Sequence, residues 1–272
     1  MELSLSMWSV HRTVRENGWT VLDFLDFCSK EGIKRVELLN VFWKNAAIEL
    51  PAVVAALKSK GIRASSYAVA NDFAKENAGE REAALQEILD AIPVAQALEV
   101  DVIRVFSGNL TESVTYDNAL DWIVEGLRAA AEAAGKAGIT LCLENHGKLA
   151  GSGVQVKAIL DRVNSPYLKS TFDTGNFLLV DEEPLKALDV LIDDVKHVHF
   201  KDFVRLPEGR YKSLAGTSFE GVNLGLGDVD LAAIVRRLKE RGYQGAYVLE
   251  YEGLGSEAEG IRKSYEFFNT LV

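Results

Sequence analysis

The sequence predicts a single closed (β/α)8 barrel spanning residues 1–272, and three observations lead there. Eight short apolar, β-branched runs alternate with longer segments whose apolar residues recur every three or four positions. Several of the runs are apolar nearly throughout, as parallel strands covered on both faces are. Eight such units within 272 residues fit a closed barrel better than an open doubly wound sheet, and no Pro/Gly/Ser-rich linker divides the chain.

The strands are expected at 3–9, 35–39, 63–69, 102–106, 140–144, 168–173, 195–200 and 246–250. The first helix, 20–31, opens with Thr20 and Asp23 in capping-box spacing and stops at Gly32. The second, 47–60, ends at Gly61. The third, 80–98, contains Pro93, which should kink or break it. The fourth, 116–137, is Ala-rich. Ser152 is placed to cap 154–163, and 183–190 is short. Asp228 is expected to cap 229–241, with Gly225-Leu226-Gly227 as a tight turn before it. Ser256 caps 257–270, with Glu259 completing a second capping box.

Composition narrows the partner. Lys+Arg total 30 against 40 Asp+Glu, a formal net charge of −10, which repels phosphate backbones and disfavours nucleic acid. No apolar run approaches the roughly 20 residues of a membrane span, and Met1-Glu2-Leu3-Ser4 lacks the basic opening of a signal peptide. Cys28 and Cys142 lie apart in apolar segments, as reduced thiols do. The expectation is a cytoplasmic protein acting on a small molecule, with no membrane and no nucleic-acid partner.

Barrels of this kind carry their chemistry at the carboxyl ends of the strands. The last four strands all end in polar groups: Glu144-Asn145-His146, Asp173-Thr174-Gly175-Asn176, His197-Val198-His199-Phe200-Lys201-Asp202 and Glu250-Tyr251-Glu252. Side chains alternate faces along a strand, so Glu144, Asp173, His199 and Glu250 can converge at the barrel mouth. Three bare carboxylates that close repel, and a divalent cation removes the conflict. Such a set suits Mn2+ foremost, then Mg2+ or Co2+, with Zn2+ or Fe2+ also accommodated. One metal ion with open positions is a catalytic arrangement.

Further candidates for contact with a substrate surround these four. Lys201 is placed to neutralise a developing negative charge. His146 lies two residues past Glu144 on the same strand face, and Glu37 ends the second strand within reach of a substrate hydroxyl. Trp8 heads a set of aromatics, with His11, Phe42, Trp43, Tyr67 and Phe106, near the first four strand ends. Arg104, inside the fourth strand, is expected in a buried ion pair with Glu37 or Glu144. His197 is expected to support the site from below, and Asn71 and Asp72 to cap a loop or meet the ligand.

The runs Leu143-Glu144-Asn145-His146-Gly147, Phe172-Asp173-Thr174-Gly175-Asn176, His197-Val198-His199-Phe200-Lys201-Asp202 and Leu249-Glu250-Tyr251-Glu252 resemble the xylose isomerase-like TIM-barrel superfamily of sugar phosphate isomerases/epimerases. So do Gly225-Leu226-Gly227-Asp228-Val229-Asp230, Tyr67 to Phe73, and Arg104-Val105-Phe106. The resemblance covers essentially the whole chain. It implies one divalent metal on Glu144, Asp173, His199 and Glu250. From the ketose epimerase branch it implies Glu144 and Glu250 as an acid/base pair, one on each face of the substrate, and Arg205 as a contact to substrate hydroxyls. Asn176 stands where that branch has a substrate histidine, and Ala150 where it has a glutamate.

The function the resemblance implies is a metal-dependent isomerase or epimerase of a sugar or keto-polyol, working by proton abstraction beside a metal-chelated carbonyl through an enediolate. The alternative is a metal-dependent lyase or dehydratase of a cyclic keto-polyol, keto-glycoside or dehydroshikimate-like substrate. An endonuclease IV-like phosphodiesterase is remote, because that branch needs many histidines and this chain has four. Oligomers are common in the superfamily, so a homo-oligomer is expected by analogy.

Overall fold

The computed structural model describes residues 2–271. In chain order its elements are β1 (Leu3–Ser6), α1 (His11–Asn17), α2 (Val21–Lys30), β2 (Arg35–Leu39), α3 (Ala46–Lys60), β3 (Arg63–Ala68), α4 (Ala78–Ala97), β4 (Val102–Val105), α5 (Tyr116–Lys136), β5 (Thr140–Glu144), α6 (Gly153–Val163), β6 (Leu168–Asp173), α7 (Pro184–Leu191), β7 (Val195–Phe200), β8 (Asp202–Arg205), β9 (Tyr211–Lys212), β10 (Ser218–Val222), α8 (Leu231–Glu240), β11 (Ala246–Leu249) and α9 (Glu257–Phe268). Eight parallel strands close in the order β1-β11-β7-β6-β5-β4-β3-β2. The closed barrel is the (β/α)8 architecture that the alternating pattern predicts.

Alternation along the strands builds two environments. Leu3 and Leu5 of β1, Val36 and Leu38 of β2, and Val198 and Phe200 of β7 are buried in the main apolar core. The alternate residues Ser4, Ser6, Glu37, His197 and His199 are equally buried, and several of them pair with polar groups of other strands. Ser4 Oγ lies 2.7 Å from Ser65 Oγ, and His197 of β7 reaches Glu37 of β2 at 3.0 Å. This barrel interior is therefore polar, where branched aliphatic layers are the more usual filling.

Several expected elements are corrected. The first strand ends at Ser6, not residue 9, because residues Met7–Val10 turn into a 3-10 helix capped by Ser6. Pro93 does not break α4, which runs unbroken through it. Its ring lies on the exposed face, so the helix loses a hydrogen bond without a packing clash. The cap of α8 is Asp230, whose side chain accepts from the Ala233 amide, rather than Asp228. Glu259 forms no reciprocal capping box at α9 and instead pairs with Lys263. Two features carried no apolar period and went unexpected. One is α1, which buries only Val14. The other is the antiparallel sheet β8-β10-β9, inserted after β7.

Asp202 anchors that insertion. Its buried carboxylate accepts from the amides of Gly225 (2.9 Å), Gly227 (3.0 Å) and Val229 (3.3 Å). A Cβ on Gly227 would lie 2.1 Å from Asp202 Oδ1, so the close approach requires glycine there. Asp202→Ala strands three backbone donors. We expect a loss of roughly 2–4 kcal/mol in urea denaturation. A change below about 0.5 kcal/mol would show that the loop does not depend on this carboxylate.

Candidate metal centre

Four candidate ligands stand at the carboxyl ends of adjacent strands. Glu144 closes β5, Asp173 closes β6, His199 is next to last in β7 and Glu250 directly follows β11. Strand pairing sets Asp173 beside His199, and His199 beside Val248. One donor atom from each of the four lies within 4.8 Å of the others, and all four residues are buried. His199 Nδ1 is 3.3 Å from Glu144 Oε2 and 3.8 Å from Glu250 Oε1.

The local chain holds these groups in orientation. Asp173 Oδ1 accepts from the amides of Gly175 (2.9 Å) and Asn176 (2.8 Å). The Asn145 side chain pairs with both backbone groups of Asp173, at 3.0 and 2.9 Å. Glu144 Oε1 accepts from Asn176 Nδ2 at 3.1 Å. The remaining donor atoms, Glu144 Oε2, Asp173 Oδ2 and His199 Nδ1, have no hydrogen-bond partner. Buried polar atoms nearly always find one. Three orphans in one spot, all hard oxygen or imidazole donors, fit a divalent cation.

Two basic side chains crowd the same place. Lys201 Nζ lies 2.6 Å from Glu250 Oε2, 3.3 Å from Glu252 Oε1 and 3.4 Å from Asp173 Oδ2. Arg104 Nε is 3.2 Å from Glu144 Oε2, so the buried ion pair of Arg104 is with Glu144. Burial and charge pull these groups in opposite directions. Burial pushes Asp173 up to about 7 against the pull of Lys201. Burial would also raise Glu144, but His199 and Arg104 outweigh it and hold its carboxyl below the ordinary range. Burial would lower Lys201, and Asp173 and Glu250 reverse that to raise it well above its ordinary value. For Glu252, burial yields to Lys201 and its carboxyl drops to about 2.

The remaining expected residues divide. Asn176 and Lys201 are drawn in by the contacts above, with 3.4 Å between Lys201 Nζ and Asn176 Oδ1. Trp8 reaches the site through Glu252, donating from Nε1 at 2.8 Å. His146 stacks on Phe106 at 4.0 Å, and the Arg104 guanidinium covers Phe106 at 3.9 Å. Glu37 is corrected. It is wholly buried beneath the cluster, bonded to His197, His199 and Ser66 rather than open to a substrate hydroxyl. Arg205 stands apart from the cluster. It sits exposed on β8 over the Phe219 ring, and no hydrogen bond or ion pair joins it to the cluster among the described residues. Asn71 bonds across strands to the Phe106 backbone, and Asp72 caps its own loop at the Ala74 amide.

Glu252 and Tyr211 were not singled out from sequence. Glu252 accepts from Trp8, Lys201 and the Tyr211 hydroxyl. Its i+2 spacing from Glu250 was an available signal. Tyr211 had none, because it arrives from the inserted sheet.

The family model for the xylose isomerase-like TIM barrel matches residues 25–271. The chain belongs to the xylose isomerase-like TIM barrel family. Among curated family relatives, an inosose dehydratase of Lactiplantibacillus plantarum is 30% identical over 213 residues, 72% of this chain and 69% of that one. The inosose dehydratase of Bacillus licheniformis is 30% identical over 157 residues, about half of each chain (53% and 51%). Three solved structures share the fold. They are the probable 3-DHS dehydratase AsbF of Bacillus anthracis (TM-score 0.78, 18% identity, 99% of both chains), the IOLI protein with a zinc atom (0.79, 16%, 100% and 98%) and the 3-keto-D-glucoside 4-epimerase YcjR of E. coli (0.77, 16%, 99% of both). No described helix is long and apolar enough to cross a membrane.

Lys201→Met removes the ammonium from among three buried acids. With chelator present, unfolding should come roughly 3–5 kcal/mol more easily than for the unaltered chain. Saturating Mn2+ should recover most of that loss. Equal destabilisation with and without metal would mean that Lys201 and a cation do not share the same carboxylates.

Proposed function

We propose that this family member is a divalent-metal-dependent lyase that removes water from a cyclic keto-polyol of the inosose type, as a cytoplasmic enzyme. The observation that carries the proposal is one cluster holding both halves of an elimination. Glu144 Oε2 is a buried carboxylate oxygen that accepts no hydrogen bond and has Arg104 Nε as an ion-pair neighbour at 3.2 Å. Nearby, Glu250 is bound to the Lys201 ammonium at 2.6 Å. Supporting it, the inosose dehydratases among the relatives reach 30% identity.

Glu144, Asp173, His199 and Glu250 would hold the metal, which supplies Lewis-acid polarisation of the substrate carbonyl. Glu144 takes the proton from the carbon next to that carbonyl. The electron pair of the broken C–H bond forms the new C=C bond as the C–O bond on the next carbon breaks. The hydroxyl departs as water with a proton delivered from the Glu250–Lys201 pair. Asn176, hydrogen-bonded to Glu144, and Trp8, held by Glu252, are the side chains proposed to orient the polyol. The ring faces of Phe106 and His146 border the same mouth.

Epimerisation or isomerisation of a sugar is the second reading. One feature favours it: Glu144 and Glu250 both border His199 Nδ1, so the cluster holds two carboxylates for the acid and base roles that epimerisation needs. A single assay separates the two. The metal-loaded protein is incubated with an inosose in deuterated water and followed by absorbance and proton NMR. An unsaturated ketone should appear, and at saturating metal Glu144→Gln should slow it by about 10²–10⁴-fold. Deuterium entering the carbon skeleton with no loss of water would favour the second reading instead.

A further inference from the structure

We infer that Glu37, directly beneath the cluster, is a positioning residue for the metal centre: it fixes the His199 ring so that Nδ1 faces the carboxylates. The inference rests on the metal site of the proposed function and not on which reaction that site performs.

The two ring nitrogens of His199 face opposite ways. Nδ1 points to Glu144 and Glu250, and Nε2 lies 3.1 Å from Glu37 Oε2. Glu37 Oε2 also receives His197 Nε2 at 3.0 Å and the Ser66 hydroxyl at 2.8 Å. All four residues are fully buried. A carboxylate accepts and does not donate, so the Nε2 facing it carries the proton. In the neutral ring the lone pair is then left on Nδ1, on the side of the cluster. A carboxylate behind a ligand histidine fixes ring angle and tautomer and strengthens the ligand.

The same three residues, Glu37, His197 and His199, also bring donor atoms within 4.8 Å of one another. Hydrogen bonding explains that grouping better than a second ion. Both histidine contacts to Oε2 lie at 3.0–3.1 Å, which is hydrogen-bond length. His197 shares the anchor without reaching the carboxylates: it stands edge-on to His199 with 5.2 Å between ring centroids.

The test is metal binding, independent of turnover. Mn2+ affinity is measured by calorimetry for the full chain and for Glu37→Gln, with His197→Gln as control. Circular dichroism of the metal-free proteins checks folding. Glu37→Gln should bind Mn2+ about 10–100-fold more weakly, with a stoichiometry of one ion per chain. His197→Gln, which leaves the Glu37–His199 bond intact, should change affinity less than threefold. Unchanged affinity in a folded Glu37→Gln protein, or two ions per unaltered chain, would overturn the inference. If Glu37→Gln does not fold, nitrogen-15 histidine spectra of the unaltered chain decide. Adding Zn2+ should shift His199 Nδ1 while Nε2 keeps its proton, and a metal shift at Nε2 would refute the assignment. Loss of metal affinity without any dehydratase activity in the parent protein would sink only the proposed reaction.

Discussion

Three carboxylates buried in one place cannot all stay ionised without positive charge among them, and the mouth of this barrel is organised around that repulsion. Glu144, Asp173 and Glu250 come from three different strands, and Glu252 adds a fourth acid two residues on. Coulomb repulsion at these spacings is several times stronger in a buried site than in water. The counter-charges are equally placed by the fold: Lys201 between Asp173, Glu250 and Glu252, Arg104 against Glu144, and His199 in the middle. A divalent ion would satisfy the orphan oxygens and the His199 Nδ1 more completely than the ammonium alone.

That requirement reaches down into the barrel. An interior of branched aliphatics would leave the His199 ring without a partner on its far side. The hydroxyl and carboxylate layer of Ser4, Ser65, Ser66 and Glu37 provides one. The apolar core is displaced to the shell between strands and helices, where Leu5, Leu38, Val198 and Phe200 pack. The inserted sheet closes the assembly from above. Tyr211 and Arg210 bond Glu252 from β9 and the residue before it, while Asp202 pins the loop that follows.

The barrel and the convergence of Glu144, Asp173, His199 and Glu250 were legible because both rest on local periodicity: apolar runs ending in a carboxylate or imidazole. Strands β2, β5, β6 and β7 end where their apolar runs end. What escaped the sequence depends on contacts made at a distance. Whether Glu37 meets solvent or His199 is decided by two histidines some 160 residues away. Arg205 follows His199 closely in sequence, and its exposure is set by β8, which pairs with the inserted β10. Pro93 shows the reverse failure, a local rule overridden because the ring faces solvent.

In the proposed reading, the acid cluster, Lys201 and the buried Glu37–His199 contact act together to hold a cation beside a proton acceptor. The most direct measurement is anomalous diffraction from crystals of the chain loaded with Mn2+. One peak should appear within bonding distance of Glu144, Asp173, His199 Nδ1 and Glu250, with Lys201 moved off Asp173. A peak between Glu37 and His197, or none at the barrel mouth under saturating metal, would contradict the assignment of this centre.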